Sequence, residues 1–249
     1  MAAPELDKSD AAIRTMFAEI APRYDFLNHL LSGSLDRLWR RRAVREVESA
    51  TDDRSQGPLL DLCCGTGDQA RALSRSNRRV MAADFCLPML ARARDKFGRL
   101  NGRRPSAIAA DALLLPFAAS RFSAVTISFG VRNMADLDRG LEAVTAVLAP
   151  GGRLVVLEFA IPRLPVLRPL YLLYLRRVLP LIGRLLSPRG SAYGYLSDSV
   201  LEFPQRQEFV ARLEAAGLEE GSWRDLSAGT VCLYTASKPR EEKQRQGRQ

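Results

Sequence analysis

The stretch Leu59-Leu60-Asp61-Leu62-Cys63-Cys64-Gly65-Thr66-Gly67-Asp68 constrains the fold more than any other. Apolar residues run into Asp61 and a small turn with two glycines follows. Apolar Ala70 and Leu73 then alternate with Arg71 and Arg75 at helical spacing. The pattern predicts strand, tight turn, helix. Glycine at 65 and at 67 lets the backbone turn sharply and leaves no Cβ between main chain and a ligand. The helix that follows presents free N–H groups and a positive dipole end, which favour oxygens and anions.

From residue 58 onward strands and helices alternate, which predicts βαβ units and a mostly parallel sheet. Strands are expected at 58–63, 79–84, 106–110, 122–128 and 153–159, with a closing antiparallel pair at 218–226 and 229–237. Strand 2 ends in Asp84, near the spacing from the glycine turn at which a carboxylate meets ribose hydroxyls. A carboxylate suits that job because it accepts from both hydroxyls; the plainer reading of Asp84 is a helix cap. Strand 3 ends at Asp111-Ala112, where the carboxylate can accept from an adenine amino group and the Ala112 N–H can meet a ring nitrogen. The loop from Leu113 to Phe117 is apolar enough to wall a flat ring, or is ordinary core. Strand 4 ends at Ser128 and runs into Phe129-Gly130-Val131-Arg132-Asn133. Asp136 is placed to cap a helix through Leu148, and Pro150-Gly151-Gly152 reads as a tight turn. Open α/β sheets bind ligands at the carboxyl ends of their strands, and Gly65, Asp84, Asp111, Ser128 and Glu158 all lie at such ends. Ala70 takes the third position of a G-x-G-x-x-G/A fingerprint, so an NAD-binding module stays an alternative, as does a turn with no ligand.

Residues 1–50 are read as an N-terminal helical extension, with Ser9 or Asp10 capping a helix that carries Ile13, Met16, Phe17 and Ile20. Pro22 and Gly33 bracket a short apolar helix, and a basic helix with Trp39 follows. That helix either packs Trp39 and Val44 on the core or covers a substrate. His29, the only histidine, is expected at the surface or as a cap. Residues 51–57 form a boundary, 51–238 the main domain, and 239–249 a charged, disordered tail. Between 160 and 200 the alternation stops. This insertion is rich in leucine, broken by arginines and punctuated by prolines. It is expected to be a lid of short amphipathic helices, a face for a membrane surface, or simple core.

A net charge of +9 admits anionic lipid or acidic partners. Nucleic acid is not expected, because no zinc-finger, RRM or helix-turn-helix signature occurs. No apolar run is long enough to span a bilayer, and the first residues lack the pattern of a signal peptide. The four cysteines (63, 64, 86 and 232) lack metal-ligand spacing, so no metal is expected and a reducing cytoplasm is.

The pattern D-x-x-x-G-x-G from Asp61 to Gly67 resembles the first motif of class I S-adenosylmethionine methyltransferases. The resemblance becomes specific with Ile20-Ala21-Pro22-Arg23-Tyr24-Asp25-Phe26-Leu27-Asn28, with Ile127-Ser128-Phe129-Gly130-Val131-Arg132-Asn133, with the block from Leu148 to Phe159, and with Tyr195-Leu196-Ser197-Asp198-Ser199-Val200. Over nearly the whole chain these blocks look like the ubiquinone/menaquinone-biosynthesis C-methyltransferases of UbiE type. The resemblance implies a Rossmann-like α/β fold with a seven-stranded, mostly parallel sheet and helices on both faces. It implies S-adenosylmethionine as methyl donor and a ring carbon of a prenylated quinol as acceptor, demethylmenaquinol first. A benzoquinol precursor of ubiquinone, another small molecule or a protein are the alternative acceptors. By position, the donor would meet Asp61, Gly65, Thr66, Gly67, Asp84, Asp111, Ala112 and Ser128, while Arg132 would stabilise a phenolate or hold a water, and Asn133 and Tyr24 would orient the quinol. Two places depart from the family: Cys86, where serine or asparagine is frequent, and Ser227-Ala228-Gly229, where two glycines are usual. A cytoplasmic protein resting on the inner face of the membrane is expected, with a homodimer left open.

Overall fold

A computed structural model describes residues 9–50, 57–76, 78–181 and 191–240. The strands are β1 Leu59–Leu62, β2 Val80–Asp84, β3 Ser106–Ala109, β4 Phe122–Ser128, β5 Leu148–Phe159, β6 Glu219–Leu226 and β7 Val231–Ser237. They build one seven-stranded sheet in the order β3-β2-β1-β4-β5-β7-β6. Neighbours from β3 to β5 pair in parallel, and β7 runs antiparallel to both β5 and β6. Every residue of β1 and β4 is buried, as in parallel strands covered on both faces. Their side chains alternate: Leu60, Leu62 and Ile127 enter one core, and Leu59 and Ala124 enter the other.

The helices are α1 Asp10–Ile20, α2 Tyr24–Leu31, α3 Asp36–Ala50, α4 Asp68–Leu73, α5 Leu87–Gly98, α6 Leu137–Val147, α7 Leu167–Leu173, α8 Ser191–Glu202 and α9 Gln207–Ala215. Two expected caps form: Ser9 Oγ accepts from the Ala12 N–H at 3.4 Å, and Asp136 Oδ1 from the Arg139 N–H at 3.0 Å. One expected turn does not. Residues 150–152 belong to β5, which bulges between the pairs Phe122↔Leu148 and Ala124↔Arg153. Gly151 donates to the Lys238 carbonyl and Lys238 to that of Gly152, both at 2.9 Å, so the residues expected to reverse the chain continue the ladder instead.

The N-terminal extension packs against the sheet. Trp39, Ala43 and Val47 of α3 join the second core, and the Trp39 Nε1–H donates to Ser227 Oγ at 2.8 Å. Leu27 of α2 meets Leu175, Leu179 and Val200 of the insertion. Within the insertion α7 passes into a π-helical turn, Tyr174–Val178. Linker residues 51–56, insertion residues 182–190 and the tail from 241 lie outside the described residues. Among the described residues no helix is long and apolar enough to cross a membrane.

Candidate active site

The chain leaves β1 and β4 through Cys63 (φ 53°) and Phe129 (φ 61°), both left-handed without being glycine. Such conformations cost about 1–3 kcal/mol each and gather where a site needs them. The two turns touch: a Cβ on Gly130 would lie 2.5 Å from the Cβ of Cys63. The two glycines of the first turn have different jobs. A Cβ on Gly67 (φ 83°) would lie 2.6 Å from Phe97 Cζ, whereas one on Gly65 would meet nothing nearer than Tyr24 Cε1 at 3.8 Å. Packing fixes Gly67; Gly65 faces a cleft.

That cleft, about 670 Å³, brings together Gly65, Asp84, Asp111, Ala112, Asn133 and Tyr24. Asp84 Oδ2 accepts from the Gly65 N–H at 2.7 Å and Oδ1 from the Cys86 N–H at 2.8 Å, so it supports the turn and faces the cleft at once. Burial pushes its pKa up, and those N–H groups oppose the rise. Asp111 Oδ1 accepts from the Leu113 N–H at 2.8 Å. The loop expected to wall a ring divides. Leu113 lines the cleft, Leu115 and Phe117 join the core, and Leu114 is exposed.

Asp61, Thr66, Gly67 and Ser128 stand behind this cleft rather than on its wall. Asp61 is fully buried; its Oδ1 accepts from Thr126 Oγ1 at 3.0 Å and, among the described residues, its Oδ2 has no hydrogen-bond partner. Burial pushes its pKa up to about 7. Ser128 Oγ is likewise buried without a partner. Thr66 Oγ1 donates to Asp25 Oδ1 at 2.5 Å, and Lys96 Nζ bridges Asp25 (2.9 Å) and Asp68 (2.5 Å). This cluster ties α2 to the glycine turn. Burial alone would raise the pKa of Asp68, but Lys96, Arg40 and His29 together outweigh it and hold the carboxyl below its ordinary value.

A second cavity, about 1440 Å³, opens between α1, α2, α3, α7, α8 and the aromatic pair Phe129 and Phe159. Phe17, Tyr24 and Phe129 line both spaces. Arg132 lies on this second cavity. Its Nη1 donates to Glu158 Oε1 (2.9 Å) and the Phe129 carbonyl (2.7 Å), and its Nε to Ser199 Oγ (3.2 Å). Nη2 makes no hydrogen bond among the described residues. Burial pushes the Glu158 pKa up and Arg132 opposes the rise. Asn133 Oδ1 accepts from the Tyr195 hydroxyl at 3.0 Å, which links a residue of the first cleft to one of the second cavity.

Two residues of the second cavity, Arg40 and Asp36, carried no signal of a site in the sequence, and a third, Tyr195, stood only in a matching block with no role assigned. Arg40 is one arginine of a basic run, yet it lies over the Phe129 ring at 5.5 Å with its Nε 3.9 Å from the Asp36 carboxylate. Asp36 is buried; its Oδ1 accepts from Ser32 Oγ (3.1 Å) and meets His29 Nδ1 (3.0 Å), while its Oδ2 lies 3.9 Å from Arg40 Nε and has no hydrogen-bond partner among the described residues. His29, expected as a surface or capping residue, is half-buried on that carboxylate. Tyr195 shows its role only once α8 packs beside the Arg132 turn.

Solved structures share this architecture. The [4+2]-cyclase SpnF aligns at a TM-score of 0.61 with 20% identity, covering 84% of this chain and 82% of its own. Phosphoethanolamine N-methyltransferase 2 of Haemonchus contortus, solved with S-adenosyl-L-methionine, aligns at 0.57 with 14% identity, covering 80% of this chain and 53% of its own. At such identities the likeness shows the fold. Whole-length relatives go further. The "Demethylmenaquinone methyltransferase" of Thermus thermophilus is 44% identical over 226 residues, 90% of this chain and 100% of its own. The "Ubiquinone/menaquinone biosynthesis C-methyltransferase UbiE" of Geobacter sulfurreducens is 42% identical over 237 residues, 94% and 91%. The pattern of one family matches residues 5–238, and the chain belongs to that family, the ubiE/COQ5 methyltransferases.

Proposed function

We propose that the chain transfers a methyl group from S-adenosylmethionine to a ring carbon of a prenylated quinol, with demethylmenaquinol as the acceptor. One observation carries the reading: a cleft at the strand ends that holds Asp84 and Asp111 and a large apolar cavity meet at Phe17, Tyr24 and Phe129. A donor in the first and a ring in the second come together at that wall, which is how positioning accelerates a displacement. The names of the relatives supply the acceptor.

The residues of the first cleft fit S-adenosylmethionine. Each Asp84 oxygen keeps a lone pair beyond its backbone bond and can accept from a ribose hydroxyl. The Asp111 carboxylate suits an amino group, and Leu113 and Met134 suit the faces of a base. When bound, that donor supplies an electrophilic methyl carbon on a sulfonium.

The acceptor carbon becomes nucleophilic when the phenolic oxygen beside it gives up its proton. Arg132 stays protonated, and its uncommitted Nη2 stabilises the phenolate. Asp36, on the lining of the same cavity, takes the proton; its Oδ1 meets Ser32 Oγ and His29 Nδ1, and its Oδ2 faces Arg40 Nε at 3.9 Å. The tyrosines do not: burial raises the pKa of Tyr24, of Tyr171 and of Tyr195, the last to about 12. They stay protonated and orient. Asn133, held by Tyr195, sets the ring against the wall where the two spaces meet.

A benzoquinol acceptor is the second reading, favoured by the double name of the Geobacter relative. Labelled donor offered with each quinol separates them. Label in the naphthoquinol is expected. Label in the benzoquinol alone would install the second reading, and label in neither would sink both.

A further inference from the structure

Resting on a prenylated acceptor, we infer that the rim of the second cavity docks on an anionic lipid bilayer through the outer faces of α2, the start of α3 and α7. Among the described residues, every exposed large apolar side chain but Leu87 and Leu114 stands on residues 26–38 or 164–181. Phe26, Leu30 and Leu38 mark the first segment, and Val166, Leu170 and Leu173 the second. The two segments adjoin, because Leu27 and Leu31 pack with Tyr171, Leu175 and Leu179. The same helices therefore turn one apolar face into the cavity and another outward. A lone exposed leucine needs no explanation, but a cluster confined to the rim of one cavity does.

Charge selects the occupant. Residues 160–181 hold four arginines and no acidic residue. Arg163, Arg168, Arg176 and Arg177 are exposed beside the apolar row, and Arg37 and Arg41 beside Leu38. Their acidic neighbours on α2 and α3 are engaged inward, Asp25 by Lys96 and Asp36 by His29. A second copy docked on this face would set arginines against arginines. An anionic leaflet offers acyl chains to the leucines and headgroup charge to the guanidiniums at one depth, the arrangement of a helix lying in the interface. The acceptor tail then passes from cavity to acyl chains without crossing water.

Flotation with vesicles of phosphatidylcholine, with and without phosphatidylglycerol, tests this without donor or acceptor. A failure of the methyl-transfer reading would show in the turnover assay alone. The full chain is expected to float with the anionic vesicles and to stay behind with the neutral ones. The triple variant Phe26→Ser, Leu170→Ser, Leu173→Ser should lose at least tenfold in vesicle affinity. Its melting temperature and its turnover on a short-tailed, water-soluble quinol should match the parent. A parent that ignores anionic vesicles, or a variant that floats as well as the parent, overturns the inference. So does a parent that dimerises in sedimentation velocity through these residues and leaves vesicles alone.

Discussion

The Arg132 guanidinium lies 2.9 Å from the Glu158 carboxylate, and the two side chains are 6% and 0% exposed. Removing one member of such a pair strands the other charge and costs about 3–5 kcal/mol. Arg132→Ala would therefore mix instability with lost chemistry. Arg132→Lys keeps a cation beside Glu158 and loses Nη2. It should lower turnover on the order of 100-fold, with donor affinity by titration calorimetry nearly unchanged. Parental turnover would remove Arg132 from the mechanism.

Asp36→Asn keeps the shape and the contact with Ser32 but cannot take a proton. Loss of a general base costs roughly 100-fold or more in turnover. The loss should fall on kcat, with KM little moved. A variant whose KM rises while kcat holds would make Asp36 a binding residue only.

These two side chains show what the sequence could and could not reveal. The sheet was legible because β1 and β4 are short runs rich in apolar residues and because glycines and acids sit where strands end. Arg132 was legible through its motif. Asp36 and Arg40 were not, since nothing in a chain of arginines and leucines says which polar group folds inward. That depends on α3 anchoring Trp39 against Ser227, 188 residues later in the chain. The assignment of Asp61 to the donor followed its strand position, and burial behind the turn depends on a register with Thr126 that no spacing encodes.

The division of labour between the two glycines can be measured. Gly67→Ala adds a left-handed Cβ that collides with Phe97, and strain of about 1–2 kcal/mol joins about 1–3 kcal/mol of overpacking. Gly65→Ala carries only the strain but fills the cleft. Thermal melting should separate them, Gly67→Ala melting lower. Donor titration should show weakened binding by Gly65→Ala at a temperature where it is fully folded. Equal melting temperatures would refute the split.

Asp61 gives stability a pH dependence. Its ordinary carboxyl value lies near 3.8 and its folded value near 7, so folding favours the protonated form. The contribution is complete below about pH 4 and lost as pH rises through 7. Three units correspond to about 4 kcal/mol, at 1.36 kcal/mol per unit. Melting temperature should fall between pH 5 and pH 8, and Asp61→Asn should flatten that fall. An equally steep fall in the variant would place its origin elsewhere.

Ala228 sits at φ 57° between Ser227 at 46° and Gly229 at 88°. Its left-handed strain of about 1–2 kcal/mol exceeds the roughly 0.5–1 kcal/mol of chain entropy that glycine costs. Ala228→Gly should raise the melting temperature by about 2 °C. A lower value would mean that the loop gains from its alanine.

Phe17, Tyr24 and Phe129 belong to two chambers at once, so neither chamber has a shape of its own. Whatever settles on one side of these three rings resets the contour offered on the other. Linkage then demands symmetry: the factor by which a bound donor tightens or loosens the quinol is the factor by which the quinol changes the donor. An inhibitor built for the apolar cavity would be read out as altered nucleoside affinity, without ever touching the nucleoside.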